Sequence, residues 1–456
     1  MNGNRCFLLL LVLFLFPLSA LASSDDLLSL YAIAKEKDTG IGKAQSRFDA
    51  SKADSRISFS QLLPRFEANA GISWLSNTSL NYGPREITGS YTGNNYGISA
   101  KIPLFQMSAM HYLSASHAFV RGADAALSVS RQELIVALVE AYFGVLKAQT
   151  DEVLYLDEVK RFEQLYDQAK EFKASGTGTV TAELEAKAKL ESALADSIKA
   201  IMVHKLADQQ LENIVGRHVY EVKALGSYIP HGPEPSDVQW WVATMEKNRP
   251  ALVQARELLT QSELLRKAVY AGHLPTISAS GGYAVNKGST FLPEVETRQW
   301  SIGLNLSLPI YSGGETDART ERALAVESEQ RHILNEVHDQ SVQKLKLSYL
   351  NLEYSFAIIP SLKLKTESAL MQLNAVKDGR SVGTRTGIDL LNAEQEVAFA
   401  RRDLAGAIYD NALRQLQLMA AVGTLSESDL VELNALLIDT PSRKPHVNRR
   451  SSELAN

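Results

Sequence analysis

Four stretches of the chain alternate apolar and polar residues with period two. In the first, Phe66, Ala68, Ala70, Ile72 and Trp74 are separated by Arg65, Glu67, Asn69, Gly71 and Ser73. In the last, Trp300, Ile302, Leu304, Leu306 and Leu308 are separated by Ser301, Gly303, Asn305 and Ser307. In extended backbone that period places every apolar residue on one face. The pattern predicts strands at about 65–75, 95–105, 276–286 and 298–311, joined in pairs by the polar loops "LSNTSLNYGPREITGSYTGNN" and "NKGSTFLPEVET". Such a face meets a core in a soluble sheet and lipid in an outer-membrane barrel. Segments of about 10 residues with aromatic ends, here Trp74, Tyr96, Trp300 and Tyr311, suit the barrel.

Each strand pair is followed by a helical pattern of unusual length. Residues 107–175 contain no proline, and Leu134, Leu138, Ala141, Val145 and Ala148 recur at spacings of four, three, four and three, the seam of a coiled coil. At 1.5 Å per residue such a segment reaches about 100 Å. Glycine-containing turns at Gly176 and Gly383 precede further helices at about 181–215 and 386–422, and a second long helix is expected over about 313–380. Pro360 is expected to kink or interrupt that second helix. Shorter helical patterns, Leu27 to Leu62 and Val238 to Ala271, lead into the first and third strands.

The chain reads as one unit written twice. "LLPRFEANAGISW" matches "HLPTISASGGYAV", and Tyr142 with Tyr349, Gly176 with Gly383 and Val215-Gly216 with Val422-Gly423 are all offset by 207. The expected organisation is a leader at 1–22, a first repeat at 23–216, a Gly- and Pro-rich linker at 217–237, a second repeat at 238–437 and a polar tail at 438–456. The period is too long for a solenoid.

Asn4 and Arg5, the apolar run Phe7 to Phe16 and the small-residue site Ala20-Leu21-Ala22 have the form of a secretory signal peptide. The run is too short to span about 30 Å of hydrocarbon. Cys6, the only cysteine, lies inside it, so no disulfide or cysteine metal site is expected in the exported chain. A formal net charge of −5 gives no sign of a nucleic-acid partner. No later stretch is apolar enough for a transmembrane helix, so any membrane contact falls to the strands.

Four strands cannot close a transmembrane barrel, and an open edge in lipid leaves backbone groups unpaired. Three chains give 12 strands and two give eight, and residue patterns alone do not choose between them. The signal peptide, the paired "LP" strand starts, the helical hairpins and the segments "SVGTRTGIDLLNAE" and "AAVGTLSESDL" together resemble the TolC family of outer-membrane channel proteins, over about residues 25–437. The resemblance implies a fold of mixed membrane β-barrel and long α-helical barrel. A homotrimer would form a 12-stranded barrel in the outer membrane lipid of a Gram-negative cell and a helical barrel through the periplasm. It also implies a passive duct for type I protein secretion or small-molecule efflux. Its partners would be a periplasmic adaptor (membrane fusion) protein and an inner-membrane transporter.

The same resemblance assigns roles at the hairpin tips. Asp389 would guard the periplasmic entrance, forming a carboxylate ring under threefold symmetry that favours cations and binds multivalent ones. Asn392 stands where the family has a second aspartate, so weaker cation selectivity is expected. Arg385 corresponds to a family arginine that latches the entrance shut, and Arg380 stands where relatives carry tyrosine. The repeat alignment places Ala182 opposite Asp389, so Glu183 or Glu185 would have to supply the acid on the other hairpin. Gly176, Val382, Gly383 and Thr384 lie at the tips, where the adaptor would touch. From residue types alone, Thr386 and Asp389 also fit the S/T-x-x-D start of a helix, a capping box.

No catalytic constellation stands out. His332 and His338 are six apart and do not share a helix face, and Gly313-Gly314 lacks phosphate-loop spacing. Neither an enzyme nor a cofactor or metal site is expected, apart from cation blockage at Asp389. The rival reading is a soluble periplasmic coiled-coil protein, which leaves the four strands unexplained.

Overall fold

The computed structural model describes residues 26–82, 85–287 and 296–438. The expected leader, the tip of the loop at 288–295 and nearly all of the expected tail lie outside them. Helices α1 (Leu27–Lys37) and α2 (Thr39–Ser60) lead into strands β1 (Arg65–Tyr82) and β2 (Arg85–Phe105), then α3 (Met107–Ala174) and α4 (Val180–Val215). A short β3 (Ala224–Leu225) follows, then α5 (Val238–Asn248), α6 (Pro250–Tyr270), β4 (Thr276–Lys287) and β5 (Glu296–Ser307). Helices α7 (Glu315–Ser381), α8 (Gly387–Val422) and α9 (Glu427–Ala435) and a short β6 (Leu437–Ile438) complete the order.

Strands β1, β2, β4 and β5 form one antiparallel sheet in that order, so β1 and β5 are its edges. The register sets Phe66 opposite Ala100 and Tyr283 opposite Trp300, which gathers the apolar positions on a single face. That face has no cover: Trp74, Trp300, Ile302 and Leu304 are each more than three-quarters exposed. The opposite face is polar. There Asn69 stands opposite Gly97 and Asn95 opposite Gly71, and a Cβ on either glycine would fall 2.6 or 2.4 Å from the asparagine oxygen. The amide side chains therefore lie flat over the glycines.

The structure departs from the sequence expectation in β1, β5 and α7. The expected polar loop after residue 75 is mostly strand, since β1 and β2 pair as far as Tyr82 and Arg85 with one irregularity between Leu75 and Thr78. Backbone pairing continues there although the apolar alternation has ended. Conversely β5 stops at Ser307, and 308–311 lie outside it. Finally, α7 runs unbroken through Pro360. The proline removes one amide donor from a helix of 67 residues, and the buried Leu352 and Ile359 hold that turn against its neighbours.

The long helices pair as two hairpins, α3 with α4 and α7 with α8, and the hairpins are joined through α3 and α8. The seam residues Leu134, Leu138, Ala141, Val145 and Ala148 are all buried. With Leu30, Tyr142, Leu211 and Leu416 they belong to a core where α1, α3, α4, α8 and α9 meet, apart from Ala148 just beyond it. A second cluster joins Met245 and Leu252 to Leu345, Leu352 and Leu418. Each fully buried leucine contributes about 1.5–3 kcal/mol, so these clusters anchor otherwise slender helices. Gly216 and Gly423 end α4 and α8 with positive φ. At Gly423 a Cβ would also fall 2.5 Å from Arg249 Cα, so this turn demands glycine twice over.

Candidate functional site

The two helical hairpin tips lie at the ends of the long helices, and local capping shapes both. In the first, Thr177 and Gly178 each donate a backbone N–H to Phe172 O at 2.9 Å, and Gly176 takes φ +78°. Thr179 caps α4 by accepting from Ala182 N at 3.1 Å. In the second, Thr384 donates from both its N–H and its hydroxyl to Gly379 O, at 2.8 and 2.9 Å, and Gly383 also takes φ +78°. A left-handed residue at this point closes an orphan carbonyl, which is why glycine occupies both.

Asp389 makes the capping box that its spacing suggested. Its Oδ2 accepts from Thr386 N at 2.8 Å and from Thr386 Oγ1 at 2.9 Å, while Asp389 N donates to Thr386 Oγ1 at 3.1 Å. The N–H of Thr386 above all, then its hydroxyl, then the charge of Arg385, hold the Asp389 carboxyl below the usual carboxylate range. Only Oδ2 is used, and Oδ1 remains open to solute. Asn392 is exposed one turn further along α8.

The other sequence candidates are dispersed. Lys173 and Glu183 form an ion pair across the first tip. Glu185 is exposed and lies 3.7 Å from Lys189 on its own helix. Among the described residues the Arg380 and Arg385 side chains enter no hydrogen bond or ion pair within the chain, and Val382 is 73% exposed. The second tip nevertheless lies beside the first hairpin, since a Cβ on Gly387 at the start of α8 would fall 4.0 Å from Gln168 Oε1 of α3. Further up α8, Gln395 donates to Glu158.

Sequence reasoning missed the polar stitching above the tips. Lys147 of α3 bonds Asp410 of α8 at 2.5 Å, and Lys365 of α7 bonds Asp403 of α8 at 3.0 Å. Arg402 lies 3.7 Å from Asp151, whose carboxyl burial pushes up. Of these groups Lys147, Asp151, Arg402, Asp403 and Asp410 line a cleft of about 590 Å³ between α3, α7 and α8. Lys147 and Asp410, like Asp151 and Arg402, are more than 200 positions apart, and Lys365 and Asp403 sit on different helices, so no spacing rule pairs them and only the fold brings them together. Among the described residues no group of His, Cys, Asp and Glu side chains is arranged to hold a metal ion.

The model of the outer membrane efflux protein family matches residues 30–217 and 241–424, most of the chain. The chain belongs to the outer membrane efflux protein family. Similar members include the outer membrane protein TolC of Escherichia coli, 30% identical over 96% of this chain and 90% of that protein. The alkaline protease secretion protein AprF of Pseudomonas aeruginosa is 27% identical over 94% of this chain and 92% of its own length. The fold is also that of the Campylobacter jejuni CmeC outer membrane channel, with a TM-score of 0.74 at 18% identity, covering 90% of each chain. Membership places the efflux protein in the outer membrane as an export channel that extends into the periplasm. The exposed apolar face of its sheet is thereby explained as a lipid-facing surface.

Proposed function

We propose that three copies of the chain form a passive export duct. Their 12 strands would close in the outer membrane and their α3–α4 and α7–α8 hairpins would build the periplasmic barrel. The observation that carries this reading is the four-stranded sheet with one bare apolar face and two unpaired edges, β1 and β5. Edge groups in lipid find no water, so β5 of one chain must meet β1 of the next. The helices support the same arrangement: Ile198, Met202 and Leu206 on α4 and Leu347, Leu350 and Tyr354 on α7 form apolar stripes, each residue more than half exposed in the single chain. A soluble coiled-coil protein has no use for the bare sheet face.

In the proposed duct, one internal repeat supplies each hairpin and the tips close the periplasmic entrance. Asp389 contributes one carboxylate ring there, and Asn392 leaves the second ring uncharged. Arg385 and Arg380, unpaired within the chain, are the latch cations that reach a neighbouring hairpin. Lys173 already engages Glu183, which makes Glu185 the acid more available to them. Gly176, Val382, Gly383 and Thr384 face the adaptor protein, and an inner-membrane transporter supplies cargo and energy. Protein secretion and small-molecule efflux use the same duct, with the choice of cargo made by the transporter.

The test is single-channel conductance of the purified protein in planar bilayers, wild type against Asp389→Asn, with a trivalent cation added on the entrance side. Small cation-selective channels blocked by the trivalent ion, with both properties weakened in the variant, are expected. Absence of channels from well-inserted protein would sink the duct.

A further inference from the structure

The base of the sheet carries an unusual pair of charges. Arg65 begins β1, and its Cα partner across the strand pair is Lys101 of β2. Side chains directly opposite in an antiparallel pair lie about 5 Å apart at Cβ, and like charges so placed destabilise the sheet. Both residues are exposed, and among the described residues neither side chain has a hydrogen bond or an ion pair. The acid nearest in register is Glu67, two residues along β1 and opposite Ser99, and it also forms no ion pair among the described residues.

The cations of β4 and β5, by contrast, are paired. Lys287 stands opposite Glu296, whose carboxylate takes Lys287 at 3.3 Å and Arg298 at 2.6 Å. Those three residues share the apolar face with Tyr283 and Trp300, since Tyr283 is opposite Trp300 and Val285 opposite Arg298. Arg65 and Lys101 belong to the other face, with Asn69, Gly97, Ser99 and Ser280. On that face, within 65–74, 92–105, 276–287 and 296–307, Arg65, Lys101 and Glu67 are the charged residues.

We propose that Arg65 and Lys101 form a cationic collar inside the base of the β-barrel, a binding site for polyanionic groups of solutes in transit. The inference rests on the trimeric duct, which turns the polar face into the lumen wall and repeats the pair three times. Twelve strands about 4.8 Å apart and tilted by about 40° enclose a ring roughly 24 Å across at the backbone. Side chains reach inward from that ring, and at 0.1 M salt the Debye length is about 10 Å, so six cations act across much of the opening. The unpaired charges are retained at a cost to the sheet, and an anion bridging Arg65 and Lys101 relieves that repulsion. The collar lies at the opposite end of the helical barrel from Asp389 and has the opposite sign, so the duct meets solutes with acid at its entrance and base at its exit.

The test uses full-length protein in planar bilayers with tripolyphosphate added on the barrel side. Wild type is expected to show voltage-dependent block that weakens as salt rises from 0.1 to 1 M, because the Debye length falls to about 3 Å. The double variant Arg65→Gln/Lys101→Gln is expected to need at least tenfold more tripolyphosphate for the same block. The charge-conserving variant Arg65→Lys/Lys101→Arg is expected to keep it. Equal block in wild type and the glutamine variant, or none in wild type, would overturn the collar while leaving the duct standing. Failure of inserted protein to conduct at all would overturn both.

Discussion

Lys173 and Glu183 close an ion pair across the turn between α3 and α4, whereas the residues 207 positions later, Arg380 and Leu390, leave the turn between α7 and α8 without one. Two turns with the same glycine geometry thus differ in how they are tied. The first adds a charge bridge to its backbone bonds, and the second relies on Thr384 bonding Gly379.

Glu183→Gln is therefore expected to loosen the first tip and leave the second unchanged. Glu183 is mostly buried and Lys173 is more exposed, so the loss is modest, about 0.5–1 kcal/mol. Hydrogen exchange would read it as faster exchange over 170–186 alone. Equal change in both tips would show that the bridge has no local role.

Thr386 sets the pH at which Asp389 loses its charge. Its N–H and hydroxyl both bond the carboxylate and lower its pKa below the ordinary 3.8. For a depressed carboxylate the ionised form is present above the folded pKa and lost as pH falls through it. Trivalent-cation block is therefore expected to persist to pH values below 3.8 in wild type. Thr386→Val keeps the N–H bond and removes the hydroxyl, so the midpoint should move up. Bilayer titration of block against pH measures it, and an unmoved midpoint would deny the hydroxyl a role.

The fold was legible wherever one physical period dominated. Trp300, Ile302, Leu304 and Leu306 announced a strand because lipid demands a wholly apolar face, and Leu134 to Ala148 announced a helix because a seam demands its spacing. Signals failed where backbone pairing or packing acts without periodicity. The extension of β1 to Tyr82 and the continuity of α7 through Pro360 are of that kind. At the tips, the capping box at Asp389 could be read because it is local. The occupation of Glu183 by Lys173 and the stitches Lys147 to Asp410 and Lys365 to Asp403 could not, since each depends on which helices become neighbours.

His204 of α4 bonds Glu152 of α3, and Asp208 lies 3.6 Å from its other ring nitrogen, with Glu212 and His218 nearby. The Glu152 bond chiefly, then the charges of Asp208 and Glu152, raise its pKa above 6.5 against the opposing effect of burial. A raised histidine pKa contributes stability that is fully present below 6.5 and lost as pH rises through the folded pKa. The α3–α4 pair is thus expected to tighten in mild acid. Thermal unfolding in detergent should give wild type a Tm at pH 6 higher than at pH 8, and His204→Gln should reduce that difference by about 2 °C. A pH dependence identical in the variant would assign the effect elsewhere.

Asn411 follows His204 by the same 207 positions and also sits on the second helix of its hairpin, but it bridges by amide and is wholly buried. Its Nδ2 donates to Ser355 Oγ at 3.0 Å and to His231 O at 3.2 Å, and its Oδ1 accepts from Tyr228 hydroxyl at 2.9 Å. One side chain therefore fastens the segment between the two halves to both α7 and α8. Asn411→Leu keeps the branched skeleton and removes all three bonds, leaving His231 O to find another partner while the Ser355 hydroxyl keeps Leu352 O at 2.8 Å. Tyr228 likewise retains Gln415 at 3.1 Å, so the largest share of the loss falls on His231 O. The expected cost is about 2–3 kcal/mol, because stranded buried polar groups cost more than the bonds contribute. Tyr228→Phe should cost less, about 1 kcal/mol. Denaturant unfolding of the detergent-solubilised protein measures both. If Asn411→Leu matched wild type, the clasp would have no energetic weight and the hydrophobic clusters around it would hold the segment alone.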